Sequence, residues 1–292
     1  MLAMSSSPLV TRSAVTELLR RADAEGFAVP AFNYSDIWDF LAIIEAADAL
    51  KSPVYLASTE RVVGEIGVEL CGAIGLAATR KSSGFLVHHL DHCHSPQLCF
   101  DAIDNGYPSV MIDASMYTLK KNETLVVEVA VYAHRHNVAV EGEVGRIKGV
   151  GFEGSNTDTD SLATVQDVVH FVRETGVDSL AVGIGTAHGF YKERPAIDFE
   201  LLREIDRAVD VPLVLHGGTG LPSQDVRLAI ENGINKVNIG TIVHCTYMNE
   251  VRAQLMEKGE NCYTLDVMKP ARNAVCEVVK DWIRVCGADG KL

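Results

Sequence analysis

Eight short apolar runs rich in β-branched residues recur at 28–33, 53–58, 85–91, 108–113, 138–144, 179–184, 212–216 and 235–239. Between them lie longer stretches with helical spacing near 36–50, 60–79, 95–105, 120–137, 165–176, 198–209 and 223–232. Two more such stretches follow near 241–258 and 267–286, and one near 12–25 precedes the first run. The short runs read as strands and the long stretches as helices. Strict strand-then-helix alternation implies parallel pairing, since a parallel pair needs a long crossover. Eight units in a chain of 292 residues predict an α/β fold, a closed (β/α)8 TIM barrel with an N-terminal helix and extra C-terminal helices. The rival is an open doubly wound sheet, but Asn33-Tyr-Ser-Asp36 after the first strand has no glycine-rich dinucleotide fingerprint. No linker rich in Pro, Gly or Ser divides the chain, so residues 1–292 are expected to form one barrel domain.

Composition narrows the partners. A hydrophobic content of 47% is enough for one large core. The net charge of -13 argues against nucleic acid and against an anionic membrane surface. Seven scattered cysteines with no Cys-x-x-Cys pair suit a reducing compartment. Met1 to Leu9 has neither a basic start nor a long apolar core, and no apolar run approaches the ~18 residues of a membrane span. A cytoplasmic protein is expected. The one long irregular stretch, Arg146 to Ser161, leaves the end of the fifth strand. A segment of that length in a compact domain reads as a functional lid or as disorder.

Chemistry concentrates in Phe85-Leu-Val-His-His-Leu-Asp-His-Cys93, where an apolar run ends in three histidines and an aspartate. Neutral imidazoles bind a divalent cation, and a nearby carboxylate moves protons. His188 in Gly185-Thr-Ala-His-Gly189 and His216 in Leu213-Val-Leu-His-Gly-Gly-Thr-Gly220 also sit where apolar runs give way to glycine. A barrel brings the C-terminal ends of its strands to one rim. There Asp91 and His92 would meet Glu143, His188, His216 and Asn238. Three histidines leave a coordination position open, as in a catalytic zinc site. Strand alternation puts His89 and Asp91 on one face and His88 on the other. His92 joins Asp91 only if the strand ends at Asp91, and spacing alone does not choose it over His88, His89 or His94. His134 and His136 read as solvated helix residues, and His170 and His244 as structural.

Two glycine-rich turns, His216-Gly-Gly-Thr-Gly220 and Val237-Asn-Ile-Gly-Thr241, each precede a helix. Loops after the seventh and eighth strands are the usual phosphate site of a barrel. A cation, a phosphate grip and a carboxylate together suggest carbon–carbon chemistry on a sugar phosphate.

The ordered set Pro30-Ala-Phe-Asn33, His89-Leu-Asp-His92, Ser109-Val-Met-Ile-Asp113, Glu141-Gly-Glu-Val-Gly145, Asp178-Ser-Leu-Ala-Val182, Gly185-Thr-Ala-His-Gly189, Leu215-His-Gly-Gly-Thr-Gly220 and Val237-Asn-Ile-Gly-Thr241 resembles the class II, zinc-dependent ketose-bisphosphate aldolases over nearly the whole chain. The tail Val285-Cys-Gly-Ala-Asp-Gly-Lys291 looks most like the tagatose-bisphosphate branch. The resemblance implies that His92, His188 and His216 bind Zn2+ and that Asp91 is the acid/base at the substrate C4 hydroxyl. It implies that Asn33, Ser58, Gly189, Gly217, Gly218, Thr219, Asn238 and Thr241 bind substrate and its phosphate, beside a monovalent cation (Na+ or K+). Asp113 and Glu143 match family acids near the metal, in a supporting role or at a second metal. The loop glutamate that moves the second proton is best matched by Glu153, with Asp158 and Asp160 as rivals.

The chain departs from the pattern in three places. Gly240 stands where fructose-bisphosphate enzymes usually carry Asp, Lys148-Gly-Val-Gly-Phe-Glu153-Gly154 replaces a Gly-x-Glu-Asp run, and Leu56 and Ala57 precede Ser58 where Gln is frequent. These changes bear on the aldehyde half of the substrate. The expected reaction is reversible cleavage of a ketose 1,6-bisphosphate of tagatose or fructose type to dihydroxyacetone phosphate and an aldehyde such as glyceraldehyde 3-phosphate. Alternatives are a ketose 1-phosphate, a sugar-acid phosphate, or a non-catalytic barrel subunit of an aldolase complex. A metal-dependent amidohydrolase would need His-x-His at the first strand's end, where Ala31-Phe-Asn33 stands. The family suggests a homodimer or homotetramer. The apolar stripe Val275, Val278, Val279, Trp282 and Ile283 on the last helix serves either the core or such an interface.

Overall fold

The computed structural model describes residues 10–149, 161–191, 195–259 and 261–292. Eight parallel strands close into a barrel: β1 Val29–Asn33, β2 Val54–Thr59, β3 Leu86–Cys93, β4 Ser109–Ile112, β5 Ala139–Val144, β6 Ser179–Val182, β7 Leu213–Leu215 and β8 Ile234–Ile239. Each strand pairs with its sequence neighbours, and β1 pairs with β8 to complete the ring. All eight expected strands are present, in the expected order.

Most of the helices start where the sequence supplies a side-chain acceptor for their orphan N–H groups. Helix α1 (Arg12–Glu25) is capped by Thr11 and α2 (Ile37–Leu50) by a reciprocal box between Asp36 and Asp39. One helix expected over 60–79 is instead two, α3 (Glu60–Ile66) and α4 (Val68–Lys81). Gly67 between them has φ 94°, outside helical geometry, and the axis turns by 103°. Ser95 caps α5 (Pro96–Asp104), Thr118 caps α6 (Leu119–Arg135), Thr164 caps α7 (Val165–Thr175) and Asp198 caps α8 (Phe199–Ala208). The remaining helices are α9 (Ser223–Glu231), α10 (Thr241–Lys258) and α11 (Thr264–Val285).

The main core lies between strands and helices, and α11 buries Val275, Val279 and Ile283 where it packs against α2 and α10. Much of the stripe on the last helix therefore belongs to the core. Inside the barrel a small apolar group, Met111, Ala181 and Val214, sits apart from that core. Tyr55, His89, Ser109, Glu141, Ser179 and Lys236 are buried with it on the inward faces of their strands, which makes this interior polar. Among the described residues no single helix is long and apolar enough to cross a membrane.

Candidate active site

Asp91 and His92 are neighbours in the chain, and a regular strand would point them to opposite faces. Strand β3 does not end at Asp91; it runs to Cys93, and its register against β4 slips between Leu90 and Cys93. His92 sits in that irregularity with φ 46°, in the left-handed region. The bulge turns both side chains toward the barrel mouth. Left-handed backbone costs a non-glycine residue about 1–2 kcal/mol, a strain held in place by the packed rim.

His216 follows β7 directly. His188 lies after β6, where Ala187–His188 pairs with Lys148–Gly149 in a short two-stranded sheet. The three imidazoles are buried, and each offers a nitrogen within 4.8 Å of the others. His92 is held from behind by Asp113 Oδ2, 3.2 Å from its Nδ1, and His216 by Glu141 Oε1, 3.0 Å from its Nε2. A ring that donates through one nitrogen offers a lone pair on the other. Nε2 of His92 and Nδ1 of His216 then face each other at 2.7 Å, too close for two bare lone pairs. A proton or a cation has to lie between them.

The surrounding charges show how the proton is held. Burial opposes a charge on His92, but Asp91, Asp113 and Glu143 outweigh it and push the ring up to about 10. Burial and the charge of His92 push His216 down to about 4. In the metal-free protein His92 therefore donates to His216. A divalent cation would replace that proton, and an all-imidazole donor set backed by carboxylates fits such an ion. His92, Asp113 and Glu143 form a second group within 4.8 Å. Burial and the neighbouring Asp113 hold the Glu143 carboxyl well above its ordinary range, and Ile147 N–H donates to its Oε1 at 3.3 Å.

Asp91 is gripped by two amides: Asn33 Nδ2 donates to Oδ2 at 2.8 Å and Asn238 Nδ2 to Oδ1 at 3.1 Å. Burial alone would raise this carboxyl. His92, His216, Lys236 and His89 outweigh it and hold the group ionised. The carbonyl oxygens of Asn33 and Asn238 are buried without a hydrogen-bond partner among the described residues.

The other histidines separate cleanly. His88 points out of the barrel, 2.9 Å from Tyr34 Oη and stacked on Tyr107. His89 points inward but lies deeper, with Nδ1 2.8 Å from Ser109 Oγ. His94 pairs with Glu60 at 2.9 Å. His134, expected to be solvated, bridges to Asp178 at 3.1 Å, whereas His136 stacks on Tyr132 at the surface. His170 pairs with Glu123, and His244 lies 4.0 Å from Asp39.

Ser58, expected among the substrate-binding residues, needs correction. Tyr55 faces the barrel interior against His89, so the alternation of β2 turns Ser58 outward, where its hydroxyl lies 2.9 Å from Tyr107 Oη. Thr59, paired in register with Asp91, occupies the rim instead.

The glycine turns after β7 and β8 converge. Gly217 has φ 74°, and a Cβ there would lie 2.2 Å from Ala187 O. Gly218–Gly220 forms a single 3-10 turn, and Thr219 Oγ1 accepts from Ile242 N–H in the first turn of α10, beside the buried Thr241. Gly189 (φ 90°) belongs to the loop after β6, which Tyr191 ties to the β7 loop by donating to Gly217 O at 3.2 Å. Arg146 and Ser161 pair across the ends of the long segment at the tip of β5. Glu153, Asp158 and Asp160 lie outside the described residues.

Sequence reasoning passed over Lys236. Its ammonium is wholly buried inside the barrel, 2.7 Å from Glu141 Oε2. Its one visible signal is a lysine in the otherwise uncharged strand Ile234-Asn-Lys-Val-Asn-Ile239, two residues before Asn238.

Known proteins resemble the chain in sequence and in fold. The chain is 30% identical to the YdjI aldolase from Escherichia coli K12, covering 95% of this chain and 98% of that one, with a TM-score of 0.84. It is also 30% identical to a protein from Coccidioides immitis provisionally assigned as a fructose-1,6-bisphosphate aldolase, covering 94% and 96% with a TM-score of 0.88. Fructose-bisphosphate aldolase from Campylobacter jejuni, 19% identical over 100% and 99%, shares the fold with a TM-score of 0.80. Residues 13–291 match the family described as Fructose-bisphosphate aldolase class-II. With that match running from the first helix to the tail, the chain belongs to the class II fructose-bisphosphate aldolase family and is an aldolase, a carbon–carbon lyase.

Proposed function

We propose that the protein is a zinc-dependent aldolase that reversibly cleaves a ketose 1,6-bisphosphate of tagatose or fructose type to dihydroxyacetone phosphate and an aldehyde. The observation that carries this reading is the meeting of three buried imidazoles with an ionised carboxylate, Asp91, held by two amides. Zinc would be held by His92, His188 and His216. When bound, it supplies a Lewis acid for the ketone oxygen and for the charge that gathers there as the bond breaks.

The chain's own residues do the rest. Asp91 takes the proton of the C4 hydroxyl as the C3–C4 bond opens and returns it in the condensing direction. Asn33 and Asn238 aim that carboxylate, and their free carbonyl oxygens accept hydroxyls of a polyol substrate. Gly189, Gly217, Gly218, Thr219 and Thr241 offer backbone N–H groups and hydroxyls to the phosphate of the dihydroxyacetone half, near the start of α10, beside a monovalent cation. A second proton is needed at C3, and Glu153 is the proposed donor.

The test is zinc-loaded protein incubated with tagatose 1,6-bisphosphate, fructose 1,6-bisphosphate and fructose 1-phosphate, following dihydroxyacetone phosphate with and without a chelator. Chelator-sensitive release is expected. Release from fructose 1-phosphate at the same rate as from both bisphosphates would remove the second phosphate from the proposal. His92→Ala should lose zinc and turnover together. Asp91→Ala should keep zinc and lose turnover by about 10²–10⁴-fold. A fully active Asp91→Ala would overturn the mechanism.

A further inference from the structure

Lys236 and Glu141 form an ion pair in the middle of the barrel, both wholly buried, with nitrogen and oxygen 2.7 Å apart. A buried pair of this kind is a poor device for stability, because well-packed apolar residues of similar volume do as well or better. The pair also continues toward the rim. The second oxygen of Glu141 lies 3.0 Å from His216 Nε2, and His216 Nδ1 faces His92. The ammonium is fixed from the other side by the Tyr55 ring, 5.0 Å away, and Ser179 Oγ donates to Glu141 Oε2 at 3.3 Å. The ammonium can only donate and the carboxylate can only accept, so the polarity of this line is set from Lys236 outward. Reversing it at His216 would put a proton on Nδ1, the nitrogen that looks into the site.

We propose that Lys236 is a positioning residue for the metal centre: its ammonium holds Glu141 as an oriented anion, and Glu141 fixes His216 with Nε2–H outward and Nδ1 free for the cation. This rests on the reading of His92, His188 and His216 as the zinc ligands. Lys236 touches neither the cation nor the reacting atoms and acts wholly through Glu141.

The experiment measures zinc affinity by competition with a chromophoric chelator, in wild type, Lys236→Met, Glu141→Gln and the charge-neutral double variant. Histidine ¹⁵N NMR of the metal-free proteins reads the tautomer of His216. Each single variant should weaken zinc binding by about tenfold to a hundredfold. The double variant should match Glu141→Gln alone, and Lys236→Met should show the Nδ1–H form of His216. Wild-type zinc affinity in Lys236→Met would overturn the proposal, as would losses that multiply in the double variant. Should Lys236→Met not fold, the double variant decides: affinity equal to that of Glu141→Gln supports the proposal, and a further tenfold loss overturns it. Wild type that binds no zinc would overturn the ligand reading instead. The NMR arm still decides the line from Lys236 to His216 in that case.

Discussion

Four histidines between residues 88 and 94 have four different fates, decided by what each ring meets. His88 is the clearest case, because the fold keeps it neutral. Wholly buried against Tyr34 and Tyr107, it is pushed down to about 3, first by burial and then by the charge of His89. In the unfolded chain a histidine titrates near ~6.5. Between these values the unfolded state binds a proton that the folded state refuses. The contribution of His88 is thus complete above about pH 6.5 and is lost as pH falls toward 3. Relative to His88→Gln, wild type should lose about 2 kcal/mol of stability between about pH 7 and about pH 5, read by urea unfolding. Parallel pH profiles would refute the burial argument. Zinc content should be equal in the two proteins, since His88 faces away from the site.

At the scale of elements, backbone geometry does what side-chain pattern cannot. Two glycines with positive φ separate two causes. Gly67 breaks the α3–α4 stretch in open space, where an added Cβ meets only the tip of Glu69 at 3.8 Å. Gly67→Ala should cost about 1–3 kcal/mol, because φ 94° with ψ 136° lies outside the left-handed well, near backbone that only glycine adopts readily, and should leave turnover unchanged. Gly217, with φ 74° and ψ 28°, carries ordinary left-handed strain of about 1–2 kcal/mol and in addition a Cβ contact of 2.2 Å with the Ala187 carbonyl, one residue from His188. Gly217→Ala should cost about 2–4 kcal/mol and raise KM for the phosphorylated substrate. Thermal unfolding and steady-state kinetics on both variants check the pair, and a Gly217→Ala loss confined to the ~1–2 kcal/mol of left-handed strain, with KM unchanged, would show that the close approach does not matter.

Over the whole molecule, the proposed ligands tie together distant parts of the barrel. His92 and His216 are 124 residues apart and meet at 2.7 Å. A cation at this point crosslinks the rim of the folded state only. With free zinc about a hundredfold above its dissociation constant, binding should stabilise the protein by about 2.7 kcal/mol. Chelation should then lower Tm by roughly 5–10 °C while abolishing turnover. A chelator that abolished turnover with Tm unchanged would place the metal outside this three-histidine site.

Strand order, the closed barrel, and the places of Asp91, His188 and His216 at or just beyond strand ends were legible in the sequence, because periodicity and strand ends follow from local chemistry and a parallel barrel brings its strand ends to one face. The choice of His92 was not. Alternation assigns it to the wrong side, and only the slipped register of β3 against β4 brings it in line with Asp91. Ser58 failed for the same reason in reverse: one residue decides which side of a strand is inside, and a motif read without its register is off by a face. Lys236 and Glu141 stayed unconnected because 95 residues separate them, and an ion pair across a barrel leaves no local trace in a chain. The sequence by itself determined which chemistry lies at which strand end. The tertiary structure decided which rings face one another and which charges stand behind them, since those depend on register and on contacts between strands far apart in the chain.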